Sequence, residues 1–278
     1  MHAFMRTLTS GLPGNELKWL KQGAKESNRS LESLVKRRLA HEPIQYILGT
    51  EPFGDLDLLC RAPVLIPRPE THWWTAALAE YLPKTNKRFA EHFAGPTSRT
   101  LSLLDLGTGS GCIPILLCHL WPKGSIVATG IDISQHAVSL ANENATLCGI
   151  SRSTFKAALA DFLDPAFPNA ETINPPYDIL TSNPPYITAD EYLHLDDDVA
   201  NFEDPTALIG GSDGLQYYRD IANLISRDGF LSSDAVIALE VGHSQADVVS
   251  DMIHSKGFNT DIWRDPWGKK RTVIGHRR

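Results

Sequence analysis

The segment Asn183-Pro184-Pro185-Tyr186 has the residue types that a site for a planar amino or amide group needs. Asn183 and Pro184 each precede a proline, which disfavours the α region and favours an extended backbone. Such a backbone can direct the Asn183 side-chain carbonyl and the Pro184 main-chain carbonyl towards one point, where they would accept both hydrogens of an NH2 group. Tyr186 would cover its planar face. The segment therefore predicts substrate binding by all four residues, with Asn183, Pro184 and Tyr186 as catalytic residues.

The chemistry that fits these groups is transfer of a methyl group to nitrogen. An amide nitrogen is a poor nucleophile because its lone pair is delocalised, so it must be oriented towards the methyl donor. Fixed acceptors hold it more strongly as positive charge develops. No general base is required before transfer, since the proton can leave afterwards.

A glycine-rich turn, Gly107-Thr108-Gly109-Ser110-Gly111, follows an apolar segment and precedes a helical one. Glycine lets the backbone approach a ligand where a Cβ would clash. The GxGxG spacing differs from the GxGxxG of dinucleotide sites, and no Gly-Lys-Ser/Thr follows as in a phosphate-binding loop. The turn predicts a cofactor site; the alternative is a plain tight turn between strand and helix.

Two acids follow the next two strands along the chain. Asp132 lies about 20 residues beyond the glycines, where a carboxylate can accept hydrogen bonds from both ribose hydroxyls; the alternative is a cap for the helix that starts near Ser134. Asp161-Phe162 combines a carboxylate acceptor with an aromatic ring, which suits adenine. Taken alone, that pair reads better as a helix cap and a core phenylalanine.

These residues must be positioned by strands that alternate with helices. Such alternation predicts a largely parallel, doubly wound α/β sheet, in which ligands bind outside the carboxyl ends of the strands. The predicted strands are Leu101–Leu106, Ser125–Ile131, Thr154–Ala160, Ile179–Ser182, Ala235–Val241, Phe258–Trp263 and Thr272–Gly275. The predicted helices are Cys112–Leu120, Ser134–Leu147, Leu215–Ser226 and Ser244–Ser255.

A second copy of the proline segment, Asn174-Pro175-Pro176-Tyr177, precedes a strand instead of following one. It comes after a loop that begins at Pro165. We therefore expect it to lie away from the carboxyl edge of the sheet and to take no part in the site.

The N-terminal part of the chain has a different pattern. Ser30 to Leu39 predicts a helix capped by Ser30, and Gly49 to Val64 predicts a β-hairpin. A further helix should end near Leu82, before a polar surface loop from Pro83 to Thr100. The predicted domains are a helical substrate-docking domain (1–48), a hairpin linker (49–66) and a catalytic domain (67–278).

Composition narrows the function classes. The net charge of −7 and pI near 5.8 weakly disfavour nucleic acid as the main ligand. The four cysteines form no CxxC pair, and Cys112 and Cys118 lie in an apolar helical segment, so we expect buried reduced thiols and no structural metal.

No apolar run is long enough for a membrane span, and no secretory signal is visible. Arg6 and several hydroxyls precede the first acid, Glu16, which is compatible with an organelle-targeting segment.

With these residues in view, the chain resembles the HemK/PrmC family of protein-(glutamine-N5) methyltransferases, which act on the Gly-Gly-Gln loop of class 1 peptide-chain release factors. The resemblance runs from about Glu42 to Gly275. Its most specific elements are Pro67-Arg68-Pro69-Glu70-Thr71 and Gly210-Gly211-Ser212-Asp213-Gly214-Leu215, because Asn-Pro-Pro-Tyr alone is shared with amino-methylating DNA enzymes. The other matching elements are Glu42 to Gly49, Glu203 to Leu208 and Leu239-Glu240-Val241-Gly242.

The resemblance implies a class I (Rossmann-like) methyltransferase fold with a seven-stranded sheet, and S-adenosylmethionine as the cofactor. Gly107 to Gly111, Asp132, Phe162 and Asn183 would contact the cofactor, joined by Asp161 from the adenine argument. Asn183 to Tyr186 would contact the substrate glutamine. The substrate protein would be a release factor, and we expect a monomer without membrane or direct DNA binding.

Some features depart from the family or leave alternatives open. The N-terminal helical region is shorter than usual, and His72 replaces an acid. Arg68 and Glu70 could form a structural ion pair, and Asp196 to Asp198 would be a solvated loop that could face a basic release factor. Trp73-Trp74 and Trp267-Gly268-Lys269 resemble eukaryotic organellar members, which favours mitochondria over the cytoplasm.

Two other functions compete with this one. A DNA adenine-N6 methyltransferase would present a similar planar NH2 group, but it needs base flipping, and the acidic balance argues against it. A non-catalytic factor could retain the fold, but the intact glycine turn, Asp132 and Asn183 argue against that.

Overall fold

The computed structural model describes residues 11–94, 100–167 and 170–278. The expected targeting segment therefore lies largely outside the described residues, as do 95–99 of the predicted surface loop and part of the loop before the second proline segment. Within the described ranges, no helix is long and apolar enough to cross a membrane.

From residue 11 onwards, the described N-terminal unit has three helices: α1 (Gly14–Glu26), α2 (Leu31–Leu39) and α3 (Ile44–Leu48). They pack around a small apolar cluster made of Leu20, Leu34, Val35 and Ile47. The predicted helix from Ser30 is present, but the Ser30 side chain makes no capping hydrogen bond.

The predicted hairpin is confirmed as β1 (Thr50–Phe53) and β2 (Leu56–Leu59), which pair antiparallel. Phe53 and Leu58 are buried in the core of the catalytic region. The Leu59 backbone N–H donates to Asn144 Oδ1 at 2.7 Å. These contacts tie the hairpin to the sheet domain, so it is a packed element and not a free linker.

Within the described ranges, the sheet has seven strands in the order β5-β4-β3-β6-β7-β9-β8. The first four pairings in that order are parallel, and the β7–β9 and β9–β8 pairings are antiparallel. All seven predicted strands are confirmed, although β7 begins at Leu231 instead of Ala235. Their bounds are β3 (Leu101–Leu106), β4 (Ile126–Asp132), β5 (Phe155–Leu159), β6 (Tyr177–Ser182), β7 (Leu231–Glu240), β8 (Phe258–Arg264) and β9 (Lys270–Arg277).

Helices cover both faces of this sheet, which is why its central strands are apolar runs without alternation. Leu103 and Ile179 face one cluster and Leu104 and Leu180 face the other. The first face is covered by α4 (Pro69–Thr85), α5 (Lys87–Ala94), α6 (Cys112–Leu120) and α7 (Gln135–Leu147), the second by α10 (Gln216–Ile225) and α11 (Ala246–His254). Two single-turn helices, α8 (Ala189–Tyr192) and α9 (Asp197–Ala200), follow β6.

The predicted loop from Pro83 to Thr100 is wrong, because α4 continues through Pro83 to Thr85 and α5 follows it. Proline has no N–H for the carbonyl four residues earlier, Ala79. The Trp121 indole N–H donates to that carbonyl at 3.0 Å and satisfies it. Phe89, fully buried, and Phe93 lie four residues apart on α5 and explain why this polar stretch is helical.

The expectation of buried thiols holds in part. Cys118 is buried, and its burial raises its pKa to about 12. Cys112 is partly exposed at the surface.

Candidate active site

The carboxyl ends of β3, β4, β5 and β6 meet at one edge of the sheet, where a cavity lies. Six of the nine residues predicted to bind a cofactor line it: Gly107, Gly109, Asp132, Asp161, Phe162 and Asn183. This placement follows from the parallel order of the strands, which brings the residues after each strand to the same edge. We refer to this space as the first cavity.

Gly107 and Gly109 form the part of the turn that faces the first cavity. Their φ angles are 65° and 55°, in the left-handed region that favours glycine. A Cβ at either position would meet no protein atom within 4 Å, because both face open space. The backbone can therefore approach a ligand at these two positions.

The other three residues of the turn do not line the first cavity. Thr108 and Ser110 are buried beneath it, and a Cβ on Gly111 would lie 2.9 Å from Ile115 Cδ1. The Thr108 N–H donates to Ile131 O at 2.9 Å, and the Asn144 side-chain amide donates to Ser110 O at 3.0 Å. These residues shape the turn from below, a role that the spacing alone did not separate from ligand contact.

Asp132 uses both carboxylate oxygens to accept backbone N–H groups. Gly109 donates to Oδ2 and Ser134 donates to Oδ1, each at 2.9 Å. The alternative reading as a helix cap fits Ser134 better, since its hydroxyl accepts the Ala137 N–H at the start of α7. Burial raises the pKa of Asp132, and the backbone donors counteract it. Each oxygen retains a lone pair for a ligand hydroxyl.

Two aromatic residues, Phe162 and Tyr217, also line the first cavity. The Phe162 ring contacts the Tyr217 ring, with centroids 6.1 Å apart. Asp161 accepts the Leu163 N–H at 2.8 Å through one oxygen. Tyr217 was not predicted, although the pair Tyr217-Tyr218 was a signal because adjacent residues on a helix face different directions. Tyr218 is fully buried and donates to Glu240 O at 2.8 Å, so Tyr217 faces another side of α10.

A second cavity adjoins the first and contains the proline segment. Asn183, Pro184, Pro185 and Tyr186 all line it, together with Arg68. Asn183 and Pro185 line both cavities, so Asn183 lies at their junction. From this position, Asn183 can hold a reactant in one cavity next to a reactant in the other.

The two acceptor groups predicted in the proline segment lie at the second cavity, and Asn183 also lines the first. Among the described residues, no donor is hydrogen-bonded to Asn183 Oδ1 or to the Pro184 carbonyl. The Asn183 Nδ2 group donates to Thr71 Oγ1 at 3.2 Å, which leaves the carbonyl as the free end of the amide. The Gln245 side-chain Nε2 donates to the Tyr186 backbone carbonyl at 2.9 Å and so fixes the position of Tyr186. Burial raises the pKa of Tyr186, so its phenol stays neutral at physiological pH.

The strand beneath Asn183 carries buried polar groups. Ser182 donates to Leu106 O at 2.7 Å, and Thr181 donates to Asp105 Oδ1 at 2.6 Å. Asp105 Oδ2 is buried, and no residue in the described part of the chain is placed as its hydrogen-bond partner. Burial therefore raises the pKa of Asp105 to about 7.

Other residues singled out in the sequence have different partners from those expected. Arg68 donates to both oxygens of Glu203, at 2.7 and 2.8 Å, instead of pairing with Glu70. The His72 ring packs edge-on against Phe53, with centroids 5.3 Å apart.

The acidic segment is not simply a solvated loop. Asp198 accepts from Arg38 at 2.7 Å and lies 3.2 Å from His41. It therefore connects α9 to the N-terminal helices, which the sequence pattern around Asp196 did not indicate.

The second copy of the proline segment lies at the opposite end of β6, as predicted. Tyr177 is its first strand residue and is almost fully buried. The Asn174 N–H donates to the Tyr177 hydroxyl at 2.8 Å. This copy lines neither cavity.

The chain is similar to known proteins over most of its length. Residues 97–256 match the model of a methyltransferase domain family, and residues 19–49 match that of the PrmC N-terminal domain. The release factor glutamine methyltransferase of Thermodesulfovibrio yellowstonii is 34% identical over 90% of this chain and 81% of its own length. The chain belongs to the release factor glutamine methyltransferase family. A second member of the family, from Lactococcus lactis, is 34% identical over 93% of this chain and 88% of its own length.

The fold assignment has separate support. The hMettl16 catalytic domain, solved with a MAT2A 3'UTR hairpin, superposes with a TM-score of 0.57 at 14% identity, over 84% of this chain and 79% of that structure. This likeness concerns the fold alone. The class I methyltransferase fold expected from the family resemblance is confirmed.

Proposed function

We propose that this chain transfers a methyl group from S-adenosylmethionine to the side-chain amide nitrogen, N5, of the glutamine in the Gly-Gly-Gln loop of a class 1 peptide-chain release factor. The observation that carries the proposal is Asn183 at the junction of the two cavities, with its amide carbonyl free. The membership of the family supports the same reaction.

S-adenosylmethionine is the cofactor, and the first cavity has groups that fit it. Gly107 and Gly109 leave room for close approach of the backbone, Asp132 offers acceptors for ribose hydroxyls, and Phe162 with Tyr217 provides an aromatic wall for adenine. When bound, the cofactor supplies an electrophilic methyl group on a sulfonium sulfur.

The protein's own part in the reaction is to position the amide. The Asn183 and Pro184 carbonyls accept both N–H groups of the substrate amide and hold its nitrogen at the junction. As the nitrogen loses lone-pair delocalisation and gains positive charge, these acceptors hold it more tightly. The proton is lost after transfer, so no ionised side chain is required.

We propose that the N-terminal helical domain docks the release factor. A groove between α1, α2 and the catalytic region is lined by Trp19, Arg38, Asp197 and Glu203, and it meets the second cavity at Arg68. A protein bound in the groove could therefore reach the second cavity with an extended loop.

We further propose that this chain is a eukaryotic mitochondrial member of the family. We expect it to act as a monomer and to bind neither membranes nor DNA directly. The tryptophan-rich elements at Trp73-Trp74 and Trp267-Gly268-Lys269 support the first point, and the net charge of −7 supports the lack of DNA binding. Fractionation of eukaryotic cells that express the tagged full-length chain tests the location. Light scattering tests whether the protein is a monomer. A duplex-DNA binding assay at moderate salt tests the lack of direct DNA binding.

The decisive experiment is methyl transfer from labelled cofactor to a recombinant mitochondrial release factor. One sample has the Gly-Gly-Gln glutamine intact and a matched sample has it replaced by alanine. We expect label on the intact factor only. Absence of label on both, in a protein that still binds the cofactor, would contradict the proposal; label on both would place the methyl group elsewhere.

A further inference from the structure

The orientation of the Asn183 amide depends on a buried network behind it. Glu240, at the end of β7, is almost fully buried, and its Oε2 accepts from the Thr71 hydroxyl at 2.6 Å and from the Trp74 indole N–H at 2.8 Å. Asn183 Nδ2 then donates to Thr71 Oγ1 at 3.2 Å. We call Thr71, Trp74 and Glu240 the orienting network.

As long as Glu240 Oε2 carries no proton, the donors and acceptors in this network have only one consistent arrangement. An indole N–H can only donate, so the Glu240 oxygen that it contacts must accept. The Thr71 hydroxyl has a single proton, which goes to that same oxygen. Its own oxygen can then only accept, and Asn183 must present its NH2 group to it.

This matters because the two ends of an asparagine amide have nearly the same shape. Packing alone does not distinguish Oδ1 from Nδ2, and the hydrogen-bond partners select between them. A flipped Asn183 would direct an NH2 group at the NH2 group of the substrate, donor against donor. The productive orientation needs Oδ1 at the junction of the cavities.

We propose that Thr71, Trp74 and Glu240 are positioning residues that hold the Asn183 amide with its carbonyl towards the substrate. The proposal rests on the proposed function. None of the three lines either cavity, so they act through Asn183 and not by contact with a substrate. Burial raises the pKa of Glu240; both the ionised carboxylate and a carboxyl group protonated on Oε1 leave Oε2 as an acceptor for Thr71 and Trp74.

The test compares Thr71→Val, which removes the hydroxyl but keeps the shape, with Thr71→Ser, which keeps the hydroxyl. Thr75→Val is the matched control: Thr75 is also fully buried on α4, and its hydroxyl donates to Thr71 O at 2.7 Å, outside the network. We expect kcat to fall about 10–100-fold in Thr71→Val and to stay within about threefold of wild type in Thr71→Ser and Thr75→Val. Cofactor Kd should change little in all three, and the two valine variants should lose comparable thermal stability.

A second readout does not depend on activity. The Asn183 side-chain amide resonance, assigned by its absence from Asn183→Ala, should shift in a 15N–1H spectrum of Thr71→Val and stay unchanged in Thr75→Val. An unshifted resonance in Thr71→Val would overturn the network even in a protein that methylates no release factor. In an active protein, wild-type kcat in Thr71→Val, or equal losses in Thr71→Val and Thr71→Ser, would also overturn it.

Discussion

The chain contains the same four residues, Asn-Pro-Pro-Tyr, at the two ends of one strand. Asn174 to Tyr177 leads into β6, and Asn183 to Tyr186 follows it. At the first end the asparagine side chain is exposed and the tyrosine is in the core, packed on Phe230 with ring centroids 5.9 Å apart. At the second end the asparagine is held from behind and the tyrosine lines a cavity.

The four residues therefore do not make a site by themselves; their position in the sheet decides it. In a parallel sheet, only the carboxyl edge gathers the loops that bind ligands. The copy at Asn183 becomes a site because α4 and β7 bring Thr71 and Glu240 behind it. Among the described residues, the copy at Asn174 has no such network behind its asparagine and serves to pack the strand.

The largest effect should come from replacing the two asparagines in turn. Asn183→Ala removes an acceptor at the junction of the cavities, and we expect kcat to fall at least about 10³-fold with cofactor binding retained. Asn174→Ala, the matched control, should keep kcat within about twofold because its side chain is exposed. Methyl transfer from labelled cofactor measures both. Similar rates for the two variants would remove the functional difference between the copies.

The tyrosines should show the opposite pattern, in stability. Tyr177 is 2% exposed and Tyr186 only partly buried. Tyr177→Ala should therefore lower the free energy of unfolding by about 3–4 kcal/mol, through a core cavity, and Tyr186→Ala by less. Denaturant unfolding gives both values, and kcat of the folded fraction should fall mainly in Tyr186→Ala. A larger loss of stability in Tyr186→Ala would reverse the assignment of packing and function.

Much of this contrast could be predicted from the sequence. The apolar runs identified all seven strands, and the order of strand and proline segment separated the two copies. The glycine turn and Asp132 could be placed at the same edge because each directly follows a parallel strand.

Contacts between distant parts of the chain could not be predicted. Thr71 and Glu240 are 169 residues apart and meet only because the fold brings α4 against β7. The same is true of Asp198 and Arg38. The missed helix α5 has a different cause. Phe89 and Phe93 have the spacing of a helical apolar face, but the many polar residues around them favoured a loop prediction.

The smallest predicted effect concerns the buried acids near the two ends of β6. At the amino end, Asp178 pairs with Arg88 and accepts from the Ser102 hydroxyl at 3.1 Å. Near the carboxyl end, Asp105 accepts from Thr181, and burial raises its pKa from 3.8 to about 7. A carboxyl group whose pKa is higher in the folded state stabilises the protein most at low pH. That contribution is lost as pH rises from about 4 to about 7.

Asp105→Asn removes this titration while keeping an oxygen that can accept from Thr181. We expect the wild type to lose roughly 4–8 °C more in Tm than Asp105→Asn between pH 5 and pH 8, on the order of 2 kcal/mol for a chain of this size. Asp178→Asn is the contrasting variant and should lower Tm at both pH values, because it removes the buried carboxylate partner of Arg88 and, among the described residues, leaves only the exposed Asp234 at 3.7 Å. Equal pH slopes in wild type and Asp105→Asn would mean that Asp105 is ionised in the folded protein. The two ends of β6 would then differ in their ligand-facing residues but not in the electrostatics beneath them.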